Sequence, residues 1–180
     1  MRRFGALVLS IGLAIMTPQQ AHALATKPGV CLVAITLDFS SPVELSTSPT
    51  ASIGTTLSGG GSTCAPIPTL DIPSGLLTTV SITNGSGSAT VVKCAGIVAI
   101  GSYKLTFGDH FLDANGTWAF VGTPAGGELT LADLGLGFEG AAVLVPDTTA
   151  GANVGAISSC LVGSGMSTLK FVGALAFVAS

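Results

Sequence analysis

Apolar residues recur at every second position over much of this chain. Ile35, Leu37 and Phe39 alternate with Thr36 and Asp38, and Val80 and Ile82 alternate with Thr79, Ser81 and Thr83. Tyr103, Leu105 and Phe107 alternate with Ser102, Lys104 and Thr106, while Trp118 with Phe120 and Leu129 with Leu131 form shorter pairs. Leu169, Phe171, Leu175 and Phe177 line one face of residues 168–178, with Gly173 marking a bulge or a close contact. Successive side chains of a strand point to opposite faces, so this period calls for sheets with one buried face. The expected fold is all-β: a single antiparallel β-sandwich or a flattened β-barrel.

Turn chemistry separates the runs. Residues 83–88 (TNGSGS) and 113–116 (DANG) contain Asn-Gly, which tolerates the positive φ of tight hairpins, so turns are expected at Asn84-Gly85 and Asn115-Gly116. Both are also N-x-S/T sequons, which carry glycans only in a eukaryotic secretory path. Residues 58–63 (SGGGST), 123–127 (TPAGG) and 145–153 (VPDTTAGAN) read as loops, and residues 40–52 as an extended edge or connection. Only residues 131–141 (LADLGLGFEGA) suit a short helix, and their three glycines argue against a long one.

The chain opens with Arg2 and Arg3, an apolar stretch over residues 4–16, and a small-x-small site at Ala21-His22-Ala23. That is the layout of a secretory signal peptide cut after Ala23, with residues 23–25 (ALA) as the second choice. The expected organisation is a signal peptide over 1–23 and one exported all-β domain over 24–180. It has no transmembrane span after cleavage, and its location is secreted or in the cell envelope. The exported part keeps 157 residues, with Lys27, Lys93, Lys104 and Lys170 against nine acids, no Arg, and His110 alone of the histidines. Nucleic acid is excluded as a partner, because four scattered lysines cannot displace phosphate counterions. With 48% hydrophobic and 8% charged residues, the surface is short of charge. Such a surface suits association with a cell-surface component or self-association. A bacterial outer-membrane barrel fits less well, since several runs are shorter than the roughly nine to eleven residues such strands need, aromatics for the two girdles are few, and the closing residues 177–180 (FVAS) do not end on an aromatic.

Cys31, Cys64, Cys94 and Cys160 all lie in the exported part. An even number in an oxidising compartment reads as two disulfides, and the absence of C-x-x-C spacing argues against zinc. If the first strand starts at Cys31 and the second returns toward Cys64, both end at one edge. This favours Cys31–Cys64 with Cys94–Cys160; Cys31–Cys160 with Cys64–Cys94 remains open. Each Cys of 31, 94 and 160 also precedes a Leu-x-Phe strand within about a dozen residues, a faint internal echo.

The order of C-x5-LDFSSPVEL, GSTC, NGSGSATVVKC, GSYKLTFGD and STLKFVGALAF resembles small secreted four-cysteine β-proteins of Gram-positive, chiefly actinobacterial, bacteria. The resemblance spans most of the exported part. It implies a fold style and export, and carries over no catalytic residue and no cofactor.

The candidate polar site is residues 107–118 (FGDHFLDANGTW), where Asp109, His110 and Asp113 are expected at a hairpin end. Asp109, His110 and Asp113 with Glu128 form a metal alternative, though calcium wants more oxygens and zinc more imidazole or thiolate. His110 as a general base lacks a G-x-S-x-G elbow, and Glu128 with Glu139 is the pair a glycosidase would use. No catalytic set and no metal set stands out. The leading expectation is a non-enzymatic exported β-domain acting through surface contacts. The rivals are a small secreted hydrolase using His110 or the acids, and a barrel holding an apolar ligand.

Overall fold

The computed structural model describes residues 29–47, 51–62, 64, 79–107, 112–133, 138–150 and 152–179. The expected signal peptide and its cut site lie outside them. Eight strands follow in order: β1 (Gly29–Val43), β2 (Ile53–Ser62), β3 (Thr79–Val92), β4 (Gly96–Phe107), β5 (Leu112–Thr123), β6 (Gly126–Asp133), β7 (Phe138–Pro146) and β8 (Met166–Ala179). Each pairs antiparallel with the next, and β8 pairs with β1, so the sheet closes. The fold is all-β, and it is a barrel. A 3-10 turn (Thr148–Ala150) and one helix, α1 (Ala152–Leu161), link β7 to β8.

Closure follows from the register. Phe39 faces Thr55, then Gly87, Gly101, Trp118, Leu131, Gly140 and Phe177 around the wall, and the row returns to β1 at Gly29. The return falls ten residues before its start, a stagger that tilts the strands. An eight-stranded barrel of this kind is just wide enough for side chains to fill.

The alternating residues do the filling. Ile35, Leu37, Val80, Ile82, Tyr103, Leu105, Leu129, Leu131, Leu169 and Leu175 are buried, and Trp118, Phe120, Phe171 and Phe177 are the bulkiest side chains wholly inside. The Phe120 and Phe171 rings meet with centroids 5.3 Å apart. Room for the large rings comes from glycines on facing strands. A Cβ on Gly101 would lie 2.6 Å from Trp118 Nε1, and one on Gly116 would lie 2.7 Å from the Tyr103 hydroxyl. The polar tips are satisfied by backbone: Trp118 Nε1 donates to Ser102 O (3.1 Å) and Tyr103 Oη to Ala132 O (3.3 Å).

These glycines correct the turn assignments. Asn115-Gly116 is no hairpin turn; it lies inside β5, where Gly116 faces Tyr103. Asn84-Gly85 lies inside β3, which carries one residue more than either neighbour at this point. Asn84 there has φ 52°, so its tolerance of the left-handed region serves a bulge rather than a turn. Residues 58–62 belong to β2 for the same reason, with Gly59 and Gly61 facing inward against β1.

Residues 131–141 hold no helix among their described positions, because β6 runs to Asp133 and β7 starts at Phe138. The helix is α1, whose first two residues fall in the stretch 145–153 read as loop. Its stop is local: Ser164 N donates to Ser159 O (2.8 Å), Gly163 N to Cys160 O (3.4 Å), and Gly163 has φ +81°. Its start is held by Asn153, which is buried and behaves like a peptide group toward β8. Asn153 accepts from Lys170 N (2.7 Å) and donates to Lys170 O (2.8 Å) and Pro124 O (3.2 Å).

Cys31 is bonded to Cys64 and Cys94 to Cys160, with Cα atoms 4.1 and 6.0 Å apart. The first bond closes β1 onto the end of β2. The second ties the β3–β4 turn, where Lys93 and Cys94 take positive φ, to α1 at the opposite end of the barrel.

Candidate functional site

Of the polar candidates, Asp109 and His110 fall outside the described residues. Asp113 is not a loop residue; it is the second residue of β5. It accepts a hydrogen bond from Thr106 Oγ1 (2.8 Å) and an ion pair from Lys104 (2.7 Å), both on β4. Glu128 cannot join it. Glu128 pairs with Val121, eight residues up β5 from Asp113, roughly 26 Å along a strand. Glu139 pairs with Ala132, four residues from Glu128 along β6, which is roughly 13 Å. Glycosidase carboxyl pairs lie about 5–9.5 Å apart. Among the described residues no group of three or more His, Cys, Asp or Glu converges as metal ligands would.

The interior offers no better candidate. Its centre is occupied by Trp118, Phe120, Phe171 and Phe177. Three depressions of about 510–550 Å³ all open on the outside of the wall. One of them is floored by Gly60, Gly173 and Ala174 and flanked by Leu32, Val145 and Val172. The wall is therefore where the unusual chemistry lies.

Side chains between the inward ones must point out; on β7 and β8 most of these are apolar too, and β1, β4 and β5 add apolar residues beside polar ones such as Ser102, Lys104, Asp113 and Asn115. One hydrogen-bonded row crosses six adjacent strands as Leu32, Ala174, Val143, Glu128, Val121 and Val98. The next outward row reads Val30, Ala176, Ala141, Thr130, Ala119 and Ile100. Ten of these twelve positions are apolar, and Glu128 is the one charge. Leu32 is 62% exposed and Val143 69% on one side of β6, and Ile100 59% and Val121 57% on the other, two apolar patches separated by Glu128 and Thr130. Val145 and Val172 extend the belt by a third partial row beside Ala34.

Continued onto β3 and β2, the same rows change character. Val98 faces Thr90, Ile100 faces Ser88, Ser88 faces Gly54, and Leu32 faces Ser62 on its other side. Thr56, Ser58, Thr83 and Ser86 complete an exposed wall of hydroxyls. A second apolar cluster sits at the α1 end, where Leu45, Val154, Leu161 and Val162 are exposed.

The missed feature had a signal. Val98, Ile100, Val143 and Val145 stand at alternate positions in runs whose intervening residues are also apolar, the pattern of a strand buried on both faces. No family model, curated protein or solved structure matches this chain.

Proposed function

We propose that this chain is an exported, non-enzymatic β-barrel that acts in the cell envelope or outside it through contacts made by its outer wall. The observation that carries the reading is the belt: two outward rows, apolar on β7, β8 and β1 and again on β4 and β5, on a barrel whose described interior is packed with large side chains. Apolar surface of this extent is costly to leave in water and marks an interaction face. The two disulfides fit an oxidising compartment, and the basic-apolar-AHA opening of the chain and its resemblance to small secreted four-cysteine β-proteins support export. The hydrolase alternative gains nothing from Asp113, Glu128 and Glu139, which face outward and apart.

Fractionation of the native host, with sequencing of the N-terminus, tests the reading. The expected product begins near Leu24 and is recovered with the envelope or the medium. An unprocessed chain confined to the cytoplasm overturns it.

A further inference from the structure

We infer that α1 is a strap across one end of the barrel, latched by Cys94–Cys160 and opened by dithiol reductants. Reduction frees the strap and uncovers the apolar barrel end beneath it, while the eight-stranded wall stays closed. This goes beyond the surface-contact proposal and does not depend on what the wall meets.

The strap is held at its ends. Its inward stripe is Asn153, Ala156, Ile157 and Cys160, the i, i+3, i+4, i+7 spacing of one helix face. Asn153 and Cys160 are buried, whereas Ala156 and Ile157 between them are only half-buried. Asn153 fastens one end to Lys170 of β8 and to Pro124 in the β5–β6 turn. Cys160 lies roughly 10 Å further along the helix axis and is bonded to Cys94 in the β3–β4 turn. The Cys160 carbonyl also accepts from Leu45 N (3.3 Å), just past the end of β1.

Between these anchors the local sequence gives little support. Ten residues are too few for a helix to stand alone in water. The stretch ANVGAISSCL has no charge at either end, a glycine inside it, and Val154 and Ile157 branched at Cβ. The other side of the bond is also disfavoured locally. Lys93 and Cys94 take φ of 50° and 60°, a region that costs any residue with a Cβ. One covalent bond therefore holds two segments in conformations that neither favours by itself.

The wall has no such dependence. Every strand is hydrogen-bonded on both sides, and Cys31–Cys64 sits at the far end beside the Leu32–Ser62 pair. What lies at the strapped end is apolar. Val43 ends β1 opposite Met166 at the start of β8, and Val91 faces Ile97 next to the β3–β4 turn; all four are at most 1% exposed. Ala156 packs against the same buried cluster. Release of α1 joins this rim to Leu45, Leu161 and Val162, which are already exposed.

The opening step is thiol–disulfide exchange. A thiolate of the reductant attacks Cys94 Sγ, the S–S bond breaks, and Cys160 leaves as a thiolate that takes up a proton. The reductant's second thiol then displaces Cys94 in the same way. The protein gains two electrons and two protons, and the reductant becomes a disulfide. Cys160 is wholly buried and Cys94 only 4% exposed, so attack waits on local fraying of α1. Cys64 is partly exposed, so Cys31–Cys64 is reduced first and without effect on the strap.

Amide hydrogen exchange of the disulfide-intact chain, with dithiothreitol as the reductant, tests the latch. In Cys31→Ser with Cys64→Ser, which keeps only Cys94–Cys160, reduction should raise exchange over residues 156–162 about tenfold or more. Exchange in β4, β5 and β6 should change less than about twofold, and reoxidation should restore the strap. Cys94→Ser with Cys160→Ser should show the released strap with no reductant present, and should bind more of an apolar dye. If the first variant does not fold, the wild type is reduced in steps and alkylated, so that exchange is read against which thiols are free. Unchanged protection of 156–162 once both thiols titrate overturns the proposal, as does loss of strand protection together with it. So does a Cys94–Cys160 bond that dithiothreitol leaves intact until the barrel is unfolded.

Discussion

The belt wall and the β2–β3 wall belong to one barrel, share its register, and are built in opposite ways. On the belt side, β5 and β8 supply Trp118, Phe120, Phe171 and Phe177 to the interior while two outward rows carry Val, Leu, Ile and Ala except at Glu128 and Thr130. On the other side, β2 and β3 turn Gly59, Gly61, Gly85 and Gly87 inward and Ser and Thr outward. A Cβ at Gly61 would strike the Leu32 carbonyl, and one at Gly87 the Ile100 carbonyl. The belt side supplies the four largest rings; β2 and β3 supply the smaller Leu57, Val80 and Ile82 beside their inward glycines. The comparison teaches that the outer composition is not a demand of the fold. The backbone closes equally well under hydroxyls, and this is why the outer aliphatics support the proposal of a contact surface.

The largest expected effect tests the inner half of this contrast. Trp118→Ala should cost about 3–5 kcal/mol, the range for losing a buried aromatic and leaving a cavity. Leu57→Ala, on β2, should cost about 2–3 kcal/mol, the low end for a buried aliphatic, because the glycine-rich strands beside it can relax inward. Urea unfolding measures both. Equal costs would mean that the interior is not weighted toward β5 and β8.

The disulfides come next, since each joins the two halves: Cys31 on β1 to Cys64 beyond β2, and Cys94 after β3 to Cys160 before β8. Replacing a pair by Ser should destabilise by about 2–4 kcal/mol, more for the bond spanning 66 residues than for that spanning 33. Thermal melts of the two double variants give the order. The reverse order would show that the constraint on α1 matters less than that on β1 and β2.

The smallest expected effect is the sharpest for the walls themselves. Val143→Ser on the belt and Ser88→Val on the hydroxyl wall should each move stability by no more than about 0.5 kcal/mol, because neither side chain is packed inside. Binding of an apolar fluorescent dye should fall for the first and rise for the second. A loss above about 1 kcal/mol from Val143→Ser would make the belt a structural device rather than a contact surface.

Much of this architecture can be read along the chain. Alternation at Ile35-Leu37-Phe39, Trp118-Phe120 and Leu169-Phe171 marks residues that are buried in the barrel. The hidden positions are those where inward glycine stands in for a hydrophobe. Gly85 and Gly116 follow Asn and imitate turns, because the property that suits glycine to a hairpin also suits it to a bulge or to a place opposite a ring. Asp113 belongs to the same lesson: read as a loop carboxylate, it is a strand residue bonded to Thr106 and Lys104 across the sheet. Helix α1 was hidden for a different reason. Its ten residues carry no charge and little amphipathic order, and tertiary anchors at Asn153 and Cys160 hold it.

By itself the sequence determined the strand class, the inward set and a surface poor in charge, because which side a strand residue faces is decided by its immediate neighbours. Closure into a barrel, the company of Leu32 with Val143 and Val98, and the distance between Asp113 and Glu128 were decided only in the tertiary structure. Those depend on hydrogen-bond register between strands far apart in the chain, and a register shift of two residues preserves every local pattern while moving every neighbour.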